Sequence, residues 1–256
     1  MKRNYVKEKL KRGKIAIGAA ITIPHPDIAE MIANLGFDWL FIDMEHAPLE
    51  VKDVQTILQA VEYTEVTPIV RVPWNDPVVI KRVLDVGAMG IIVPWVNSKE
   101  EAIKVVKACK YPPEGIRGCG PRRAALYGLE TQEYLKRIDK ELLIVIQIET
   151  KKAVENINDI LSVKGIDATL VGPMDLSASY GFLGQPNHPK VKEIIKRIAD
   201  AHKGTNVVPG IASSINNVRE HVEMGYKFIN VTSDCDLIMS QGKNILKMLR
   251  DWGIMD

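Results

Sequence analysis

The 256-residue chain is poor in cysteine: Cys109, Cys119 and Cys235 are all it has. Their spacing matches no zinc-ligand pattern and three cannot all pair, so neither a structural zinc nor a disulfide framework is expected, and a reducing cytoplasm is the expected setting. No apolar run approaches the roughly 20 residues of a membrane-spanning helix. Net charge is only +2, from 34 Lys and Arg against 32 Asp and Glu. With no basic stripe, neither nucleic acid nor a membrane surface is an expected partner. The basic start, Met1 to Arg12, is followed by no apolar segment with a small-residue cleavage site, so it reads as a short solvated helix. No low-complexity linker divides the chain, which predicts one domain over residues 1–256. Also missing is a Gly-x-Gly-x-x-Gly after the first strand-like run, and with it the phosphate-binding turn of dinucleotide folds.

What remains is strict alternation. Short apolar runs at Ile15–Ile21, Asp38–Asp43, Thr67–Val72, Gly90–Val96, Leu143–Ile148, Asp167–Val171, Val207–Ala212 and Phe228–Thr232 read as strands. Between them lie amphipathic stretches, such as the one capped by Asp76 with Pro77 at its first position and Val79, Ile80, Val83 and Leu84 on one face. Others run from Asp27 to about Leu35, from about Leu49 to Tyr63, from Ser98 to Cys109, from Thr150 through Leu161, from about Val191 to His202 and from Leu237 to Trp252. Eight strand-and-helix pairs predict an α/β fold with a parallel sheet, and eight favour a closed (β/α)8 TIM barrel over an open doubly wound sheet. In a barrel the catalytic groups stand at the C-terminal strand ends, so polar residues there carry information.

Several such residues stand out. Glu149 and Asp175 lie at or just past strand ends, where an apolar core has no use for a carboxylate. Two carboxylates with open water positions suit Mg²⁺ or Mn²⁺, although Glu149 could instead be a structural acid paired with Arg71. Gln147 shares a face with Glu149 by the period of two. Arg71 ends its apolar run and must meet an anion: one of the site's own carboxylates, or a substrate oxygen on which charge develops. His46, past the second strand, is either a solvated loop residue or a general acid–base group. Asp85, in the last turn of its helix, opposes the macrodipole; it is either an exposed acid or the partner of a histidine's second nitrogen.

Together with Gly36-Phe37-Asp38-Trp39-Leu40, Asp43-Met44-Glu45-His46-Ala47-Pro48, Trp74-Asn75-Asp76-Pro77, Gly115-Ile116-Arg117-Gly118, Gln147-Ile148-Glu149-Thr150 and Gly172-Pro173-Met174-Asp175-Leu176-Ser177, these residues make the chain resemble the HpcH/HpaI aldolase family nearly end to end. That resemblance implies a metal-dependent class II pyruvate aldolase, which reversibly cleaves a 4-hydroxy-2-oxo acid to pyruvate and an aldehyde. It implies that Glu149 and Asp175 hold a divalent ion (Mg²⁺, Mn²⁺ or Co²⁺) chelated by pyruvate, and that Arg71 steadies the keto oxygen as it becomes an enolate. Gln147, Gly172, Pro173, Met174 and Asp175 would seat the substrate, and His46 would be the base, made more basic by Asp85. A final helix packed against a neighbouring subunit, in a hexamer built as a trimer of dimers, is implied as well. Other chemistries on the same barrel are an acyl-CoA lyase of the citramalyl or malyl type, a 2-oxo acid decarboxylase, and a non-catalytic barrel that binds metal and oxo acid. Three departures bear on the acceptor aldehyde: Ala20 where tryptophan is found, Met44 where glycine is common, and Arg122 and Arg123 in a loop expected near the mouth, which hint at an anionic acceptor.

Overall fold

The computed structural model describes residues 3–256. Eight parallel strands close into a barrel in sequential order: β1 (Ala16–Ile21), β2 (Trp39–Asp43), β3 (Thr67–Arg71), β4 (Gly90–Val93), β5 (Leu143–Ile148), β6 (Ala168–Val171), β7 (Gly210–Ala212) and β8 (Phe228–Ser233). Around them run α1 (Tyr5–Lys11), α2 (Pro26–Ala33), α3 (Val51–Ala60), α4 (Pro77–Asp85), α5 (Lys99–Cys109), α6 (Thr131–Glu141), α7 (Lys151–Glu155), α8 (Ile157–Leu161), α9 (Pro173–Ser179), α10 (Pro189–Ala201), α11 (Val218–Glu223) and α12 (Asp234–Asp251). The barrel and its single chain-spanning apolar shell bear out the expected TIM architecture. Among the described residues no helix is long and apolar enough to cross a membrane.

Alternation along each strand separates two packing surfaces. Outward residues such as Leu40, Ile42, Val70, Ile91, Ile144 and Ile146 meet the helices. Inward residues Trp39, Phe41, Ile69, Ile92, Leu143, Val145, Leu170 and Phe228 fill the barrel, with the Trp39 and Phe228 rings stacked 4.0 Å apart. Gly18 makes room for this filling, because a Cβ there would overlap the Trp39 indole. Charged side chains enter the inward column only at the C-terminal strand ends, with Asp43 and Arg71 joined there by the amide of Gln147. That change of polarity along one interior column marks the site.

Several expectations need correcting. The N-terminal helix is no solvated appendage: Val6 and Leu10 of α1 pack onto the barrel filling from the N-terminal side. Its Lys7 ammonium donates to the Leu142 carbonyl at 2.5 Å and to Asp167 at 3.0 Å. Residues 1–2 of the expected helix lie outside the described residues. β4 stops at Val93 rather than Val96, since Pro94 ends the ladder and Trp95 takes a positive φ of 55°. β7 is only Gly210–Ala212, because Pro209 lacks an amide donor and leaves Val208 as an isolated bridge to Ala168. The stretch from Thr150 breaks at Asn156 into α7 and α8, and α9 opens directly behind β6.

Each helix after a strand runs back toward the start of the next strand. Strand C-termini and helix N-termini therefore share one face, the mouth, while helix C-termini share the other. Gly18→Ala should lower unfolding free energy by roughly 1–3 kcal/mol through overpacking against Trp39. Chemical denaturation measures it, and an unchanged midpoint would contradict this account of the interior.

Candidate active site

The mouth is built around Arg71. Asp43 and Arg71 are register partners at the ends of β2 and β3, so their side chains meet inside the barrel. The pair is bidentate, with Nε 2.9 Å from Oδ1 and Nη2 2.7 Å from Oδ2 of Asp43. Arg71 Nη1 reaches Glu45 at 3.1 Å and donates to Gln147 Oε1 at 3.3 Å. The guanidinium lies 4.8 Å over the Phe41 ring and is 9% exposed. Planar, fixed donors of this kind hold one orientation. Burial alone would raise the Asp43 carboxyl, but the hydrogen bonds and charge of Arg71 outweigh it and hold it below its ordinary range. Asp43 also accepts from the Glu45 and His46 amides at 3.0 and 3.3 Å, which fixes the loop behind β2.

Across the mouth, the Glu149 carboxylate is almost wholly buried, with the residue 1% exposed. Its Oε1 accepts the Trp95 amide at 2.7 Å, and its Oε2 accepts from Gln147 Nε2. The positive φ of Trp95 is what turns that amide inward. Gly172 leaves a cradle beside the carboxylate, since a Cβ there would stand 3.2 Å from Glu149 Oε2. Burial raises the Glu149 carboxyl against these two hydrogen bonds, and the charge of Asp175 raises it further. Glu45 is pushed to about 7, first by burial, with Arg71 opposing and Glu149, Asp43 and Asp175 adding repulsion. Asp175 stands in the first turn of α9, and its carboxylate makes no hydrogen bond or ion pair among the described residues.

These acids suit a hard cation. Among the described residues no group of three or more His, Cys, Asp or Glu is close enough to cage a metal. Glu149 feels the charge of Asp175 across the mouth, and two carboxylates with open positions are of the kind that would leave room for water and substrate oxygens on Mg²⁺ or Mn²⁺. Carboxylates that repel one another in a buried cup are the residues that a divalent ion would stabilise.

Two placements differ from the expectations, and one open alternative is resolved. Arg71 meets carboxylates of the site itself, Asp43 and Glu45, and leaves Glu149 unpaired with it. His46 is at the mouth as expected, with its imidazole 59% exposed and 3.9 Å from Glu45. Asp85 is not beside it: at the C-terminal end of α4 it belongs to the opposite face, where it binds Arg117 at 2.6 Å. Within one chain Asp85 cannot tune His46. Arg122 and Arg123 are on that far face too, with Arg123 donating to the Val86 carbonyl at 2.9 Å and pairing with Glu62. They therefore supply no cation to this chain's mouth. Sequence reasoning missed Asp43, Glu45 and the Trp95 amide as site groups; the facing register of Asp43 and Arg71 was the available signal for the first.

A profile of the HpcH/HpaI aldolase/citrate lyase family matches residues 21–240. The chain is similar to 4-hydroxy-2-oxo-heptane-1,7-dioate aldolase of Salmonella dublin, 40% identical over 239 residues that cover 92% of this chain and 90% of that protein. Its Escherichia coli counterpart is 39% identical over 238 residues, covering 92% and 90%. Among solved structures, an HpcH/HpaI aldolase/citrate lyase family protein from Burkholderia cenocepacia J2315 superposes with a TM-score of 0.93 at 32% identity, covering 96% of this chain and 99% of that one. The citrate synthase SbnG follows the fold at a TM-score of 0.87 and 26% identity, covering 98% and 99%.

The buried pair makes a pH-dependent prediction. Asp43 has a depressed folded value, so its contribution to stability is full above the ordinary carboxylate range and is lost as pH falls through the folded value. Asp43→Asn should melt below the parent protein at pH 7, and the gap should close as both are acidified toward pH 3 (about the foot of that range); a gap that widens on acidification would contradict the pairing. Arg71→Ala should cost roughly 3–5 kcal/mol in stability as well as activity, because it strands two buried carboxylates.

Proposed function

The chain belongs to the HpcH/HpaI aldolase/citrate lyase family, and on that premise we propose a divalent-metal-dependent lyase that reversibly cleaves a 4-hydroxy-2-oxo acid to pyruvate and an aldehyde. The observation that carries this reading is the meeting, at one barrel mouth, of the buried Glu149, the unpaired Asp175 and the clamped Arg71. Glu149 and Asp175 would hold Mg²⁺, Mn²⁺ or Co²⁺, which when bound supplies Lewis-acid polarisation of the 2-oxo group.

The chain's own residues account for the remaining steps. Arg71 stays charged in its pocket, where its value is held high: burial would lower it, but Asp43 outweighs that. It presents a fixed positive charge where enolate oxygen charge develops, and needs no reorganisation as the reaction proceeds. Gln147, tied to both Arg71 and Glu149, sets the spacing between guanidinium and carboxylate. The chain at Gly172, Pro173 and Met174 opens α9, whose first amides have no intrahelical partner and can receive a substrate carboxylate. His46, exposed at the rim, is the group that would move the proton at the pyruvate methyl carbon.

α12 points to assembly. Of its 18 residues only Asp234 is buried, while Ile238, Met239, Ile245, Leu246 and Met248 are exposed. A helix with such a face is stabilised by packing on a second copy, within a hexamer made as a trimer of dimers.

Pyruvate release from 4-hydroxy-2-oxo acids should vanish with EDTA and return with Mg²⁺, Mn²⁺ or Co²⁺. Activity that survives EDTA and is trapped by borohydride would sink the reading. For the assembly, Ile238→Glu combined with Leu246→Glu should lower the mass in light scattering to that of a monomer, and an unchanged mass would refute the role of α12.

A further inference from the structure

The Glu149 carboxylate takes its backbone hydrogen bond from a residue in an unfavourable conformation. Trp95 has a φ of 55°, a left-handed turn that a residue with a β-carbon keeps only where its surroundings enforce it. Its side chain does not enforce it by burial, since the residue is 45% exposed. The peptide units on either side of its α-carbon do. The N–H of Trp95 donates to Glu149 Oε1 at 2.7 Å, and its carbonyl accepts from Asn97 Nδ2 at 2.9 Å. With both rigid peptide planes held, φ and ψ are held as well.

Asn97 is itself engaged at each of its polar groups. Its N–H donates to Glu101 Oε2 at 2.6 Å, and its carbonyl accepts from Asn156 Nδ2 at 2.7 Å. Its Oδ1 accepts from the Thr150 hydroxyl. The oxygen of that hydroxyl accepts the Ala153 amide at 3.0 Å as the cap of α7, so its proton is left for Asn97. The carboxamide is therefore oriented with its oxygen toward Thr150 and its nitrogen toward the Trp95 carbonyl. Because Thr150 follows Glu149 in the chain, these contacts close a ring from Glu149 through Trp95, Asn97 and Thr150 back to Glu149. The ring ties the loop after β4 to the end of β5. It also fixes the carboxylate: Oε1 is turned to Trp95, and Oε2 lies beside Gly172, at the head of the helix that carries Asp175.

Resting on the metal half of the aldolase reading, we infer that Asn97 is a positioning residue for the metal ligand: acting through the Trp95 peptide, it holds the Glu149 carboxylate with Oε2 turned to the α9 side of the mouth. The role asks for one donor and one acceptor on a short side chain, which is what asparagine offers. Without Asn97 the Trp95 carbonyl is released, the turn relaxes toward negative φ, and the amide swings away from Glu149. The carboxylate is then free to rotate, and an ion bound there loses a preorganised ligand.

The test reads metal binding rather than turnover. The metal-stripped full-length protein is titrated with Mn²⁺, and the free ion is followed by electron paramagnetic resonance. Expected in Asn97→Ala is an affinity on the order of 10-fold below the parent, the effect of losing an outer contact to a ligand. Thr150→Val should weaken Mn²⁺ binding in the same direction, and Thr150→Ser, which keeps the hydroxyl, should restore it. Hydrogen exchange adds a readout that needs no variant to fold: the Trp95 amide of the metal-free parent should be protected although its residue is half-exposed. Parent-like Mn²⁺ affinity in Asn97→Ala, or a Trp95 amide that exchanges freely in the parent, overturns the inference and leaves the metal reading standing. A parent protein that binds no Mn²⁺ overturns the metal reading and this inference with it.

Discussion

The mouth of this barrel depends on one buried contact, the two-pronged pair between Arg71 and Asp43. A guanidinium in an apolar barrel needs a fixed counter-charge, and the β2–β3 register supplies one at hydrogen-bond distance. With two of its donors held by Asp43, the third edge is aimed at Glu45 and Gln147. Gln147 in turn binds Glu149, and Glu149 takes the Trp95 amide. The chain of contacts thus ties four strand ends into one arrangement, and the positions of guanidinium and carboxylate are set before any substrate enters. Preorganisation of this kind is what a developing enolate charge requires.

The rest of the molecule makes that arrangement tolerable. Largely apolar layers from Trp39 to Phe228 fill the barrel beneath, α1 closes its N-terminal end, and the inward charges are confined to the last layer. Confined to that layer, the acids repel one another, and the ordinary remedy is a divalent ion. The far face carries a different polar system, Asp85 with Arg117 and Tyr134, which secures the loop before α6. The two systems lie at opposite ends of the barrel, so one chain does not combine them.

Much of this was legible in the sequence, and the parts that were not share a cause. Eight apolar runs separated by amphipathic stretches specify the barrel, and the period of two placed Gln147 with Glu149 on one face. Within one strand, a local rule is enough. Partners on different strands are another matter: the Asp43–Arg71 pair depends on register, and the Trp95 amide on a left-handed turn after Pro94 that side-chain patterns do not encode. Asp85 and the Arg122–Arg123 loop were expected at the mouth from the family resemblance. Their location follows instead from helix direction, since a group at the end of α4 or behind α5 must lie where the next strand begins. Position along the βα unit outweighs chemistry in deciding which acids can share a site.

The central claim is that Glu149 and Asp175 hold a divalent ion at the mouth, within reach of the Arg71 clamp. Anomalous diffraction from crystals soaked with Mn²⁺ and pyruvate tests it most directly. The account predicts one strong peak between the Glu149 and Asp175 carboxylates, lost in crystals of Glu149→Gln. A peak elsewhere, on the Asp85 face for example, or one that persists in that variant, would contradict it.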